Sequence, residues 1–161
     1  MMYKIRQVTL SDLERVTALE ASCFPSAEAA TGEAFAYRIK AFPERFFVAE
    51  EDGEILGIIN GCACSKSTIS DDLYEPQGHE PGAKNQMIFG LAVKPSCQGR
   101  GIGSALMEHM IGFCRQTDMN AVILTCKEEK IGYYERFGFE NRGVSASIHG
   151  GAVWYDMVLT L

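Results

Sequence analysis

The sequence lacks the features of several large classes of protein. No apolar run approaches the roughly 20 residues that a bilayer-spanning helix needs, so no membrane partner is expected. The net charge of −6 leaves no excess of basic residues for the phosphates of a nucleic acid. Internal repeats and low-complexity segments are also absent. A chain of 161 residues with this composition is expected to form one domain, residues 1–161.

Signals for metal binding, disulfide bonds and export are missing as well. Cys62 and Cys64 are separated by one residue, and no second Cys or His pair nearby completes a zinc site. Residues 1–7 hold two basic side chains but no long apolar stretch, so we expect no secretory signal there and a cytoplasmic protein. We expect reduced thiols, packed as small apolar side chains, at all six cysteines: Cys23, Cys62, Cys64, Cys97, Cys114 and Cys126.

Apolar residues make up 47% of the chain, and their spacing predicts a mixed α/β fold. Strand patterns lie at 3–8, 46–50, 55–64, 87–93, 121–126, 139–144 and 152–161. Helical patterns lie at 13–23, 31–42, 102–113 and 131–137. The order of these elements, βααββ followed by βαβαββ, places helices against the faces of a mixed sheet.

Local signals mark the ends of several elements. Ser11 opens a capping box that predicts the start of the first helix, and Thr31 is expected to cap the second. Asp52-Gly53 between two apolar runs predicts a hairpin. Residues 65–85 are polar and contain Pro and Gly, which predicts a long loop. We interpret the acidic side chains of that loop as solvated rather than cation-binding: Asp71, Asp72, Glu75 and Glu80.

The most informative segment is Gln-Gly-Arg-Gly-Ile-Gly at residues 98–103, between a buried strand and an amphipathic helix. The first turn of a helix has backbone N–H groups without partners, and the helix dipole favours an anion there. Glycines let a pyrophosphate approach that backbone and allow unusual dihedral angles. Gln98 and Arg100 can add side-chain donors at the rim. The segment therefore predicts a phosphate-binding turn.

Three other interpretations of this turn are less favourable. A Walker loop is excluded because no Gly-Lys-Ser/Thr follows the glycines. A dinucleotide-binding fingerprint would need a glycine at the position of Ser104. A tight turn without a ligand is disfavoured because three alternating glycines cost backbone entropy.

This turn and a second segment carry a resemblance to a known family. Gln-x-x-Gly-x-Gly, following a strand that ends in Leu-Ala-Val at 91–93, resembles the acyl-CoA-binding motif of the GNAT superfamily of N-acetyltransferases. Residues 124–126 and 133–139 are similar to the corresponding parts of arylalkylamine (serotonin-type) N-acetyltransferases and their bacterial relatives. The resemblance implies the GNAT fold, an α/β (α+β) architecture with a central mixed, mostly antiparallel sheet of about six to seven strands and helices on both faces.

The resemblance also implies which residues bind acetyl-CoA as cosubstrate. The pantetheine arm is expected to pair with the backbone of Leu91 and Val93, where two strands of the family's sheet splay apart. The backbone near Leu91 is expected to polarise the thioester carbonyl. No metal is expected at the site. The implied cofactor-binding residues are Leu91, Ala92, Val93, Gln98, Gly99, Arg100, Gly101, Gly103, Ser104 and Tyr134.

Tyr134 matches the tyrosine that acts as general acid in this family, and the resemblance implies that it protonates the departing CoA thiolate. A free tyrosine, with a pKa near ~10, is protonated at neutral pH and able to donate. Tyr133 is a second candidate for this role, and packing in an aromatic core is the alternative for both. Direct transfer is favoured over an acetylated Cys126, since cysteine is commonly a packing residue.

The general base is left open. A primary alkylamine has a pKa near ~10.4 and must lose a proton before it attacks. Animal arylalkylamine enzymes use strand histidines for this step, whereas the matching positions here hold Met87 and Phe89. Acidic and imidazole side chains in loops near the acceptor site are the candidates, the first two being preferred: Glu28, Glu33, His79 and His149.

Together these features predict an enzyme that transfers acetyl directly from acetyl-CoA to a primary amine. A small-molecule amine is the expected acceptor, and a protein or peptide amine is the alternative. A homodimer is compatible with this prediction. A CoA-binding regulatory module without turnover is the alternative from a different class, which Tyr134 disfavours.

Overall fold

The computed structural model describes residues 2–69 and 78–161. These residues divide into two compact units. The N-terminal unit comprises Met1–Gly61 and Gly90–Gly112, and the C-terminal unit comprises Cys62–Phe89 and Phe113–Leu161. No helix formed by the described residues is both long enough and apolar enough to cross a membrane. Three acidic residues of the predicted loop lie outside the described residues: Asp71, Asp72 and Glu75.

Nine strands and four α-helices are described. The strands are β1 Lys4–Gln7, β2 Phe46–Glu51, β3 Glu54–Asn60, β4 Ala63–Cys64, β5 Asn85–Met87, β6 Gly90–Val93, β7 Ala121–Cys126, β8 Glu140–Val144 and β9 Tyr155–Thr160. The helices are α1 Leu13–Cys23, α2 Gly32–Ala41, α3 Ile102–Gln116 and α4 Ile131–Glu135.

The N-terminal unit is built on an antiparallel sheet in the order β1-β2-β3-β6. Helices α1 and α2 pack on one face, where Ile58 of β3 joins the apolar core. Neighbouring strand residues point to opposite faces, so Gly57 faces the other side of the sheet. There Ile102 and Leu106 of α3 lie 3.0 Å from the place of a Cβ on Gly57. The prediction of helices on both faces is confirmed for this sheet.

The predicted hairpin and the predicted cap of α2 are both confirmed. Asp52 and Gly53 join β2 to β3 with φ of 51° and 79°, the positive values that a type I′ hairpin turn needs at both central positions. The Thr31 side chain accepts a hydrogen bond from the backbone N–H of Ala34 at 3.1 Å. This bond satisfies one of the donors that the first turn of a helix leaves without partners.

The capping box predicted at Ser11 is wrong. The capping box lies two residues earlier and belongs to a short 3-10 turn, Leu10–Asp12, that leads into α1. Here the Thr9 N–H donates to the carboxylate of Asp12 at 2.8 Å. The buried carboxylate of Asp12 also accepts two hydrogen bonds from the guanidinium of Arg6, at 2.8 and 2.9 Å. Asp12 rather than Glu14 therefore takes the capping role, because Asp12 satisfies the backbone and an arginine together.

The C-terminal unit has a five-stranded sheet in the order β4-β5-β7-β9-β8. Its pairings are antiparallel except that of β5 with β7, which is parallel. The mixed, mostly antiparallel strand arrangement is therefore confirmed. The short helix α4 follows β7 and contacts β8 and β9.

Two of the predicted strands are each divided, which raises the predicted seven strands to nine. Gly61 leaves the β3 ladder, since its N–H donates to the carbonyl of Arg45 at 3.3 Å, and the run 55–64 becomes β3 and β4. The run 87–93 changes sheets: the N–H of Ile88 donates to Ile123 beside β5, whereas Gly90 pairs with Asn60 of β3. Both halves of each run are apolar, so periodicity alone does not reveal the break.

All six cysteines are free thiols, as predicted. Five of them are buried, in keeping with packing as small apolar side chains. Glu80 of the predicted loop accepts hydrogen bonds from the N–H and hydroxyl of Ser65 at 2.9 and 3.0 Å, so its carboxylate organises the chain locally. No group of three or more potential metal ligands occurs among residues 2–69 and 78–161.

Candidate active site

The glycine-rich turn of the N-terminal unit joins β6 to α3. Gly99 and Gly101 have φ of 89° and 81°, values that residues other than glycine rarely adopt. A Cβ at either position would meet no atom within 4 Å, so the space before both residues is open. The carbonyl of Gly101 accepts the first hydrogen bond of α3, from Ala105 at 3.0 Å. The first turn of α3 therefore follows directly on the open space before Gly99 and Gly101.

The side chains of Gln98 and Arg100 are held within the N-terminal unit. Gln98 Nε2 donates to the carbonyl of Val93 at 3.3 Å. Arg100 Nη2 donates to the Glu51 carboxylate at 3.2 Å, and its Nη1 contacts Cys97 Sγ at 3.7 Å. Both side chains therefore brace the turn from within the N-terminal unit.

Strand β6 forms one edge of its sheet, and its register fixes which backbone groups face outward. The N–H of Lys94 donates to the carbonyl of Leu56 at 2.8 Å, and Ala92 pairs with Ile58. Because alternate residues of an antiparallel strand bond to the same neighbour, Leu91 and Val93 direct their backbone groups away from β3. The outer edge of β6 thus directs the backbone groups of Leu91 and the N–H of Val93 outward, as an added extended segment would need. The Val93 carbonyl on the same edge already accepts from Gln98 and from the Cys23 thiol, both at 3.3 Å.

Tyr134 of the C-terminal unit lies in α4 among aromatic rings. Its ring centroid is 5.1 Å from that of Tyr133 and 5.9 Å from that of Phe139, with edge-to-face orientation in both pairs. Burial, followed by the nearby Tyr133 and Cys126, raises the pKa of Tyr134 well above its ordinary value. The phenol therefore keeps its proton at neutral pH, as a general acid must before it donates.

Cys126 ends β7 in the same unit and is 4% exposed. Burial, together with the charges of Glu129 and Glu135, raises the pKa of its thiol to about 11. A thiol in this state is a poor nucleophile at neutral pH, because the thiolate is the reactive form. This observation supports direct transfer over an acetylated Cys126.

The four candidate bases lie in different settings. Glu28 is half-buried in the turn after α1, where its N–H donates to the Pro25 carbonyl at 2.8 Å. Glu33 is exposed in the first turn of α2. In the C-terminal unit, His79 Nδ1 accepts from the N–H of Ala63 at 3.2 Å, and the carbonyl of His149 accepts from Trp154 Nε1 at 2.8 Å. Glu28 and Glu33 share the N-terminal unit with the glycine-rich turn.

Sequence reasoning missed a buried polar cluster in the N-terminal unit. Glu20 and Arg38 are each 5% exposed, and Asn60 is fully buried. A signal for them exists: Glu20 follows Val16 by four residues on the apolar face of α1, and Arg38 adjoins Ile39 on that of α2. Asn60 likewise interrupts an apolar strand. A charged or amide residue on an apolar face indicates a buried polar interaction.

Sequence comparisons identify the family of the chain. The profile of the acetyltransferase (GNAT) family matches residues 13–139. A putative ribosomal protein bS18-alanine N-acetyltransferase of Bacillus subtilis is 24% identical over 144 residues, which are 87% of this chain and 82% of that protein. A serotonin N-acetyltransferase of Mesocricetus auratus is 25% identical over 69% of this chain and 53% of its own length. The probable hydrolase YhcX of B. subtilis is 26% identical over 74% of this chain, but the match covers only 25% of YhcX.

Several solved structures superpose on nearly the whole length of this chain. The loading GNATL domain of CurA from Lyngbya majuscula superposes with a TM-score of 0.88 at 15% identity, covering 99% of this chain and 98% of that one. Arabidopsis thaliana Naa50, in complex with the bisubstrate analogue CoA-Ac-MVNAL, superposes with a TM-score of 0.78 at 22% identity and full coverage of both chains. At these identities the likeness establishes the fold.

Proposed function

Because the chain belongs to the acetyltransferase (GNAT) family, we propose that it is an acyl-CoA-dependent enzyme that transfers the acetyl group of acetyl-CoA to a primary amine. The observation that carries this proposal is the open turn at the start of α3. A Cβ placed on either of its two left-handed glycines, Gly99 and Gly101, would meet no atom within 4 Å. A turn of this shape at the start of a 15-residue helix suits a pyrophosphate.

Acetyl-CoA would be held by backbone groups of the N-terminal unit. The pyrophosphate would accept hydrogen bonds from the amides of the turn, which comprise Gln98, Gly99, Arg100, Gly101, Gly103 and Ser104. The pantetheine arm would pair with the outer edge of β6 at Leu91 and Val93, on either side of Ala92. The Leu91 N–H would donate to the thioester carbonyl and stabilise the oxyanion that forms there.

Tyr134 would supply the proton for the leaving group. Attack by the neutral amine on the thioester carbon forms the C–N bond, and collapse of the tetrahedral intermediate breaks the C–S bond. The departing thiolate then takes the phenolic proton of Tyr134. The raised pKa of this phenol means that its proton is present at neutral pH, which is the one condition of the role that the shift bears on.

The acceptor is a primary amine, with a small-molecule amine as the first candidate. A peptide N-terminal amine is the second, and a specific observation favours it. The relative named for alanine N-acetylation of a ribosomal protein matches this chain over 82% of its own length, whereas the serotonin-type relative matches over 53%. The two candidates differ in whether the acceptor carries a peptide backbone.

Release of free thiol from acetyl-CoA tests the proposal. The purified chain is incubated with acetyl-CoA and, in turn, polyamines, arylalkylamines, amino acids, short lysine peptides and peptides with N-terminal alanine. We expect one class to drive release well above the rate without acceptor. Tight acetyl-CoA binding without release for any amine would overturn the enzyme and support a CoA-binding module.

A further inference from the structure

The buried amide of Asn60 has a fixed orientation. Arg38 Nη1 donates to Asn60 Oδ1 at 2.9 Å. An arginine has only donors, so the amide atom that faces Arg38 must be the oxygen. The Nδ2 group of Asn60 therefore points away from Arg38, and it makes no hydrogen bond with the described residues.

Asn60 Nδ2 and the carboxylate of Glu20 converge on the same small space beside Gly90. A methyl group built on Gly90 would lie 3.6 Å from Asn60 Nδ2 and 3.6 Å from Glu20 Oε1. The other carboxylate oxygen, Oε2, accepts from the N–H of Ala30 at 2.9 Å. This bond ties Glu20 to the connection between α1 and α2 and fixes the direction of Oε1.

The hydrogen-bonding groups around this space determine which molecule can occupy it. A donor, Asn60 Nδ2, and an acceptor, Glu20 Oε1, face the same point, so a group that sits there must both accept and donate a hydrogen bond. An ammonium cannot accept from Asn60, whereas a water molecule can do both. Gly90 directly precedes Leu91, whose N–H is the proposed donor to the thioester carbonyl.

We propose that Glu20 is the general base of the transfer and that it acts through one water molecule held by Asn60 beside Gly90. This inference rests on the proposed function, because it names the base that the transfer to an amine requires. Glu20 is the catalytic group, and Asn60 positions the water.

The proton path balances as follows. The carboxylate of Glu20 takes a proton from the water while the water takes one from the ammonium of the acceptor, which leaves a neutral amine. The amine attacks the thioester carbon, the C–S bond breaks, and the thiolate takes the proton of Tyr134. The amide nitrogen and Glu20 then release their extra protons to solvent, and Tyr134 recovers one, so each cycle yields one proton.

Two side chains near Glu20, those of Cys23 and Arg38, bear on the electrostatics of its carboxylate. Cys23, on the same helix, has its thiol pKa raised by burial and further by the charge of Glu20, so it stays neutral. Arg38 on α2 is the nearby cation, and it acts on the site through Asn60. From β3 and β6, the Asn60 amide and the backbone of Gly90 lie at this point.

The experiment compares Glu20→Gln with the wild type on two acceptors of matched shape. One is a primary alkylamine, protonated at pH 7, and the other is the corresponding hydrazide, which is neutral at pH 7 and needs no base. We expect kcat to fall by about 100-fold or more with the alkylamine and by less than about 3-fold with the hydrazide. Glu14→Gln, an exposed glutamate on the same helix, is the matched control for loss of one charge.

Gly90→Ala provides a second variant if Glu20→Gln folds poorly. Gly90 does not have positive φ, and its methyl would make ordinary contacts at 3.6 Å, so the chain should fold while the methyl displaces the water. We expect the same selective loss with the alkylamine. Equal loss with both acceptors, no loss, or selective loss in Glu28→Gln or Glu33→Gln instead would overturn the assignment of Glu20. Absence of amine-driven thiol release in the wild type would overturn the proposed function itself.

Discussion

The two units of the chain differ in the kind of polar group they bury. Among the described residues, every buried charged side chain belongs to the N-terminal unit: Asp12, Glu20 and Arg38. The buried polar side chains described in the C-terminal unit are neutral: Gln86, Ser145 and Ser147. Burial of a charge is costly unless partners compensate it, so the N-terminal unit depends on ion pairs and amides in fixed positions.

This difference matches the proposed division of chemical roles. The N-terminal unit must orient an anionic cosubstrate and deprotonate a cationic acceptor, which calls for fixed charges and amides. In the proposal the C-terminal unit supplies the acid, and the buried, aromatic surroundings of Tyr134 raise the pKa of its phenol.

The largest expected effect concerns the acid. Tyr134→Phe keeps both edge-to-face ring contacts and removes only the hydroxyl. We expect kcat to fall by about 100-fold or more, because the thiolate must then leave without a proton. The dissociation constant of acetyl-CoA should change by less than about 2-fold. Steady-state kinetics and calorimetric titration measure the two quantities.

Tyr133→Phe is the matched control for that change. Tyr133 lies one residue away in α4 and packs on Phe137 at 5.4 Å between ring centroids, so the same atom is removed from the same aromatic group. The control should retain turnover within about 3-fold. If Tyr133→Phe lost turnover and Tyr134→Phe did not, the acid would be assigned to Tyr133.

A smaller effect concerns the ion pairs of the N-terminal unit. Burial alone would raise the pKa of Asp12, but the hydrogen bonds from Arg6 and Thr9 and the charge of Arg6 outweigh it and lower the pKa to about 2. Asp12→Asn should therefore lower the free energy of unfolding at pH 7 by about 2 kcal/mol. Urea titration measures this change. Glu140→Gln, in the exposed pair with Arg142 of the C-terminal unit, should change it by less than about 0.5 kcal/mol.

The same group predicts how stability depends on pH. Because the pKa of Asp12 is lower in the folded than in the unfolded chain, its contribution is complete above pH 4 and is lost as pH falls towards 2. The difference in unfolding free energy between wild type and Asp12→Asn should shrink over that window. A difference that stayed constant from pH 5 to pH 2 would show that Asp12 acts through packing and not through its charge.

Several features of the site are local in sequence and could be predicted from it. The turn at 98–103 can be predicted from its glycines, which stand between a strand and a helix. Gly99 and Gly101 adopt positive φ in the structure, which explains why glycine occupies these positions. Thr31 and the Asp52-Gly53 hairpin are local in the same way. Such signals involve only a few neighbouring residues, so a single sequence is enough to predict these features.

Other features depend on residues distant in sequence. Asn60 is oriented by Arg38, and Glu20 is aligned with Gly90 only because β6 pairs with β3 and α1 packs on that sheet. The break between β5 and β6 also depends on strand partners rather than on composition. The cap at Thr9 was missed because the arginine that binds Asp12 lies on another element. These features depend on contacts between residues that are distant in sequence, and local propensity does not predict such contacts.

The smallest expected effect compares one glycine from each unit. Gly101 and Gly138 both have positive φ, at 81° and 103°, so alanine at either position should lower the free energy of unfolding by about 1–2 kcal/mol. Only Gly101 belongs to the proposed pyrophosphate turn. We expect Gly101→Ala to weaken acetyl-CoA binding by about 10-fold, because a shifted turn misplaces its amides, and Gly138→Ala to leave binding unchanged.

Gly112→Ala completes this comparison as the control without strain. Gly112 lies within α3 with ordinary helical φ, and a methyl there would meet nothing within 4 Å. Alanine should therefore stabilise the helix by about 0.5–1 kcal/mol. If Gly101→Ala and Gly138→Ala weakened acetyl-CoA binding equally, the loss would reflect general destabilisation. If only Gly101→Ala weakened it, the anion would be bound by the backbone of the N-terminal unit, as the open space before Gly101 implies.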